Sequence, residues 1–271
     1  MTNNKMTWEE SVQWLRNQPN QQELVWAAFY DDPLLDAAKR YAKSSEWLAV
    51  RAFLPTQKGA VLDLGAGRGI ASFAFAKDGW TVTALEPDSS DLVGAGAIRQ
   101  LATQASLNIN IVQEWGESLP FADASFKVVH CRAVLHHAHD LAKLCEEINR
   151  VLQPGGMMIA TREHVISRHE DLNKFLNAHP LHHLYGGENA YLLEGYIQAI
   201  KNAGMQINHI LNPLASDINL YPSTIKATKT RIAARLGVTK WFIPDIALQI
   251  YGALSKVPGR LYTFVARKPL L

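Results

Sequence analysis

Residues 60–88 read AVLDLGAGRGIASFAFAKDGWTVTALEPD, and this stretch decides the fold. An apolar run ends at Asp63, a loop carries Gly65, Gly67 and Gly69, a short helical stretch follows, and a second apolar run ends at Glu86. Glycine suits such a loop because its backbone approaches a ligand where a β-carbon would block it. The helix that starts there offers its unpaired N–H groups to the same ligand. Roughly twenty residues beyond the first glycine, Glu86 stands where an acid can accept hydrogen bonds from ribose hydroxyls. The competing reading of Glu86 is a plain surface acid ahead of Pro87.

The glycine spacing separates ligands. A dinucleotide loop runs G-x-G-x-x-G, its last glycine letting the helix pack close beneath a pyrophosphate. Here that position is Ile70, and the pattern from Asp63 is D-x-G-x-G-x-G. Further along the chain, Glu117-Ser-Leu-Pro-Phe121, Ser125-Phe-Lys-Val-Val129, Leu135-His-His137 and Arg150-Val-Leu-Gln-Pro-Gly-Gly156 follow in order. Together with the glycine loop this series resembles the methyltransferase 11 type family of class I S-adenosylmethionine (SAM) methyltransferases over residues 58–165.

The resemblance implies SAM as cofactor, held by Asp63, Gly65, Ala66, Gly67, Glu86, Pro87, Glu114, Trp115, Gly116, Glu117 and Cys131. The backbone of 65–67 would take the methionine part, Glu86 the ribose and 114–117 the adenine. One departure is Trp115, where the family usually carries an Asp that accepts from the adenine amino group. The indole could stack on adenine, or it could be a core aromatic. Lys127, where the family more often has Asp, is expected to lie away from the cofactor.

Alternating strands and helices over 60–160 imply an α/β fold, a Rossmann-like, doubly wound, mostly parallel sheet with ligands at the carboxyl ends of its strands. Strands are expected near 60–65, 80–85, 109–113, 126–131, 157–161, 205–211 and 261–266, seven in all, with a helix at 140–152 and another at about 191–203. Residues 1–57 read as an N-terminal helical extension. Thr7 with Glu10 and Asn20 with Glu23 have capping-box spacing, and one helix is expected from Asp32-Pro33 to Pro55. The extension is expected to lie across the cofactor cleft. The core is assigned to 58–212, a helical lid insertion to 213–258 with helices near 223–236 and 244–256, and the final strand to 259–271.

Composition bounds the rest. The chain has 271 residues, a formal charge of +2 and 19% charged residues, an ordinary globular balance. Cys131 and Cys145 have no C-x-x-C spacing, the start MTNNKMTWEE has no apolar signal core, and no run approaches the ~18 apolar residues of a membrane span. A cytoplasmic enzyme is expected. From Lys226 to Arg260 there are seven basic residues against Asp245 alone. This reads as solvated helix faces, or as contact with an anionic substrate or a transient contact with a lipid surface.

Methyl transfer from a sulfonium needs donor, methyl and acceptor in line with water excluded. His136 and His137 are candidate bases for a small hydroxyl or amine acceptor, or structural residues of the LHH motif. Arg132 could hold an anionic group or pair with a neighbouring acid. Tyr185, Glu188 and Tyr191, with Trp241 and Phe242, are candidates for the acceptor pocket. The other histidines show no metal-ligand spacing, so no metal is expected. A basic segment in one stretch, without a stacking platform or a recognised catalytic tetrapeptide, argues against nucleic acid. The rivals to a SAM-dependent methyltransferase are an idle SAM-fold binding subunit and a nicotinamide-dependent oxidoreductase.

Overall fold

The computed structural model describes residues 5–270; residues 1–4 and 271 of the expected N-terminal extension and final strand lie outside it. The strands are β1 (Ala60–Leu64), β2 (Thr81–Leu85), β3 (Ile109–Val112), β4 (Phe126–Arg132), β5 (Leu152–Ile166), β6 (Tyr191–Leu192), β7 (Gln206–Leu211) and β8 (Arg260–Arg267). They join in the order β3-β2-β1-β4-β5-β8-β7, with β6 beside the far end of β5. The first five are parallel to their neighbours in that order, and β8 runs antiparallel between β5 and β7. The seven-stranded doubly wound sheet is therefore present, and the two residues of β6 add an eighth strand in place of the first turn of the helix expected at 191.

Side chains alternate across a strand, so neighbouring apolar residues serve opposite faces. Val61, Val82, Val128 and Ile159 pack with Tyr41, Trp47, Phe75 and Ile98 on one side. Leu62, Val129, Met158 and Phe264 pack with Leu144, Cys145, Ile148 and Tyr196 on the other. Both cysteines are free and buried, and Cys145 is a core residue of helix Leu141–Val151.

The extension forms helices Trp8–Arg16, Gln22–Ala27, Leu34–Ala42 and Ser45–Arg51. Thr7 and Glu10 make the expected capping box. Asn20 and Glu23 do not: residues Pro19–Gln21 form a 3-10 turn, and the next helix begins at Gln22 without a side-chain cap. The helix expected from Pro33 to Pro55 is two helices. Ser44 is the break, because its side chain accepts from Trp47 N and starts a new helix. Asp32 caps nothing; its carboxylate pairs with Arg68 at 2.5 Å and with Arg16.

A buried ion cluster ties this extension to the sheet. Glu46, fully buried, accepts from Arg132 Nε at 2.6 Å and Nη2 at 3.1 Å, and Arg162 Nη1 lies 3.8 Å away. Burial would raise the Glu46 carboxyl, but the two guanidiniums more than offset this and hold it below its ordinary range. The insertion carries helices Asp217–Leu220, Ile225–Leu236 and Asp245–Leu254, with a small core of its own at Ala233, Ile243 and Leu248.

Removing one member of a buried ion cluster leaves unpaired charge behind and costs about 3–5 kcal/mol. Glu46→Ala should lower the free energy of urea unfolding by that amount, whereas an unchanged value would show that the cluster does not hold the extension in place.

Candidate functional site

A cavity of about 750 Å³ opens at the carboxyl ends of β1, β2, β4 and β5. Its floor at one end is the glycine loop. Gly65 has φ +64°, and a Cβ there would meet Val134 Cγ2 at 2.7 Å. Gly67 N–H donates to Glu86 Oε2 at 2.7 Å, and Asp88 N–H to Oε1 at 3.0 Å, so the carboxylate pins the loop to the end of β2. Each oxygen keeps a further lone pair for a ligand. Burial is the main cause that raises the Glu86 carboxyl, to about 7, against the pull of those two N–H groups.

Asp63 also lines the cavity, but both its oxygens are used internally, by His130 Nδ1 at 2.9 Å and Ser72 Oγ at 2.6 Å. It fixes β1 to β4 and to the helix Ile70–Lys77. His130 carries no local signal in the sequence: it lies 67 residues away and meets Asp63 only through the β1–β4 register.

Among the other candidates for cofactor contact, Gly65, Ala66, Gly67, Pro87, Trp115, Gly116 and Glu117 line the cavity, and Glu114 and Cys131 do not. Glu114 points to solvent, and Cys131 is wholly buried between β4 and the helix packed on it. Trp115 is 62% exposed at the rim, so it is not a core aromatic. From the N-terminal extension, Trp8, Leu15, Phe29 and Tyr30 form the opposite wall, as the expected strap over the cleft.

The other end of the cavity is built by the ends of β4 and β5. His136 Nδ1 bonds Glu163 Oε2 at 2.7 Å, His137 Nδ1 bonds the Gly187 carbonyl at 3.0 Å and His164 Nδ1 bonds the Gly259 carbonyl at 2.8 Å. Each Nδ1 thus donates, which leaves each Nε2 with a lone pair. Burial and the adjacent His137 hold His136 well below its ordinary value, and burial takes His164 down to about 3. Both imidazoles are neutral. Glu188 Oε1 accepts the Tyr185 hydroxyl, and Oε2 sits 3.9 Å from His136 Nε2 and 3.9 Å from His137 Nε2. Burial would raise Glu188, yet His137, His179 and the Tyr185 hydroxyl outweigh it and keep the carboxyl lowered.

Of the acceptor-pocket candidates, Arg132, Tyr185 and Glu188 line the cavity. Arg132 does so while paired with Glu46. Tyr191 does not line it; its hydroxyl donates to the Ala138 carbonyl at 2.8 Å. Trp241 and Phe242, at 85% and 77% exposure, lie outside it, because the insertion reaches the cavity only through Tyr221 and Pro222. Arg162, Glu163, His164 and His179 were missed as site residues. A strand ending at 161 hides them, whereas β5 continues to Ile166 past a one-residue bulge between Ala160 and Glu163, with Arg162 at φ +60°.

Residues 62–160 match a family model described as a methyltransferase domain. The uncharacterized methyltransferase YcgJ of Bacillus subtilis is 31% identical over 125 residues, 43% of this chain and 45% of that protein. Dimethylglycine N-methyltransferase of Parasynechococcus marenigrum is 36% identical over 107 residues, 39% of this chain and 38% of that one. The chain thus spans less than half the length of these curated relatives. A crystal structure of geranyl diphosphate C-methyltransferase from Streptomyces coelicolor, in complex with Mg2+, geranyl diphosphate and S-adenosyl-L-homocysteine, has the same fold. Its TM-score is 0.60 at 15% identity, with 93% of this chain and 85% of that one covered. Residues 62–160 are thus similar to methyltransferase domains in sequence, and the chain shares its fold with a solved methyltransferase.

Gly65→Ala combines a left-handed φ, which costs about 1–2 kcal/mol for an L-residue, with a clash against Val134. Urea unfolding should register a loss of at least that size; a neutral substitution would mean the loop is free to move.

Proposed function

We propose, from the methyltransferase domain at 62–160, that the chain transfers a methyl group from SAM to a small acceptor at oxygen or nitrogen. One observation carries this reading: a single cavity connects the Glu86–Gly67 pair to the polar cluster around His136, His137 and Glu188. Donor and acceptor subsites would then share one water-poor space beneath the strap.

Glu86 would accept from both ribose hydroxyls, with the loop backbone along the methionine part and Trp115 stacked on adenine. Gly116 and Glu117 would flank the base, while Asp63 would act by holding the loop instead of touching the ligand. The solved relative with bound S-adenosyl-L-homocysteine supports the choice of cofactor. At the acceptor end, His137 is 38% exposed, with Nε2 free to take a proton. Arg132 and Arg162 share the single carboxylate of Glu46, leaving an excess positive charge in the wall that favours an anionic acceptor.

A contact with anionic lipid is the second part of this reading. Trp241, Phe242, Ile246, Ile250, Tyr251 and Leu254 are all at least 55% exposed, beside the basic residues of 226–260. Among the described residues no helix is long and apolar enough to cross a membrane, so the contact would be at the surface.

Two measurements test these assignments. Ribose hydroxyls donate to the ionised Glu86, while burial raises that group to about 7 in the free protein. Calorimetric affinity for S-adenosylhomocysteine should therefore be greatest above pH 7 and fall below it, by up to about tenfold per pH unit. Glu86→Gln should bind more weakly and show no such slope, and NADH should not bind. A wild-type affinity flat with pH would remove Glu86 from the ribose. For the surface contact, phosphatidylserine vesicles should co-sediment the protein in a salt-sensitive way, and Trp241→Ser with Phe242→Ser should abolish it; equal binding to neutral vesicles at high salt would refute the electrostatic part.

A further inference from the structure

We propose that His136, His164 and Glu188 bind one divalent transition-metal ion at the acceptor end of the cavity. One ligand atom from each of the three lies within 4.8 Å of the others. Bonds of about 2.0–2.2 Å place the ligand atoms of a four-coordinate ion about 3.3–3.5 Å apart. A contraction of up to about 1.5 Å, within the reach of side-chain rotation, completes the set.

Three independent features favour an ion over a plain hydrogen-bonded cluster. Glu188 Oε2 is buried and has no hydrogen-bond partner, while its residue is only 8% exposed. A buried carboxylate oxygen without a donor is costly unless a cation or a hydrogen-bond donor meets it. Second, each histidine already has the outer-shell partner that metal-bound imidazoles use: Glu163 for His136 and the Gly259 carbonyl for His164. Third, two neutral imidazoles and a carboxylate are a donor set for Zn2+ or Fe2+ that leaves positions open. Those positions face the cavity.

The expectation of no metal rests on histidines that show no metal-ligand motif, and the 28 and 24 residues between these three ligands form no local pattern either. They converge because β5 overruns β4 and β6 then lies beside its end. Ion binding is independent of the methyl-transfer reading, but its use rests on that reading. An acceptor hydroxyl bound to the ion would release its proton to solvent, and its oxygen would form the new bond to carbon as the carbon–sulfur bond of the sulfonium breaks. His137, outside the donor set, remains free.

The test is titration of chelator-stripped, full-length protein with Co2+ alone. One equivalent should bind with visible d–d absorption, and Zn2+ should displace it. Glu188→Gln and His164→Ala should each weaken binding at least tenfold, whereas His169→Ala, on the surface, should not. Long-range 15N NMR of wild-type protein with Zn2+ should move the His136 and His164 Nε2 signals, which keeps the test valid if a variant fails to fold. Absence of saturable binding, or binding unaffected by both substitutions, or shifts confined to other histidines, overturns the site. S-adenosylhomocysteine binding is measured in parallel on metal-free protein. Its loss with Co2+ binding intact defeats the cofactor reading alone, and the converse defeats the ion alone.

Discussion

Two guanidiniums sharing one buried carboxylate set the geometry at the rim of this sheet. Glu46 comes from the N-terminal extension, Arg132 from the last position of β4 and Arg162 from the bulge of β5. Desolvating three charges is tolerable only while they stay together, so the extension, β4 and β5 cannot shift independently. Arg162 extends the constraint by donating to the carbonyls of Ile218 at 2.9 Å and Tyr221 at 3.2 Å, which brings the start of the insertion to the cavity. The strap, two strand ends and the insertion are thus referred to one point.

Bulge and strand overrun explain why chemistry collects at one end. Parallel strands direct their loops to a common edge, and there β5 runs five residues beyond its last pairing with β4. That extra length is paired instead with β8 and β6, so its backbone is satisfied while Glu163 and His164 reach a space that a shorter strand would leave empty. Glu163 then accepts from the backbone N–H of Val134 and of His136 as well as from the imidazole, fixing the loop after β4. Gly65, facing Val134, sits against the same loop.

The sheet was legible because period-two apolar runs and a glycine loop are local signals: six of the seven long strands fall within a residue of where the pattern places them, and β5 overruns its expected 157–161 at both ends. What the pattern missed depends on distant contacts. The Asn20–Glu23 spacing is that of a capping box, yet Pro19 starts a 3-10 turn instead, and Ser44 splits a helix whose apolar periodicity runs straight through it. Glycine-loop candidates were readable from spacing. Glu46, His130, Glu163 and His179 were not, since nothing near them in sequence distinguishes them from core or surface residues. Trp241 and Phe242 misled because aromatic character marks a burial tendency without saying where an inserted helix pair faces.

Arg68 lies between two of the loop glycines, and both of its terminal nitrogens are engaged by the N-terminal extension. Nη1 donates to the carbonyls of Phe29 at 3.0 Å and Asp31 at 2.9 Å, and Nη2 to Asp32 at 2.5 Å. A free guanidinium at this place would attract phosphate, as basic residues at glycine-rich turns do. Buried against the N-terminal extension and paired with Asp32, it leaves the loop with backbone N–H groups and a neighbouring carboxylate but no unpaired cation for a pyrophosphate. Nucleotide di- and triphosphates would therefore meet the Glu86 carboxylate without compensation. Selectivity against them would then follow from the partners that one arginine takes, in addition to the shape of the pocket.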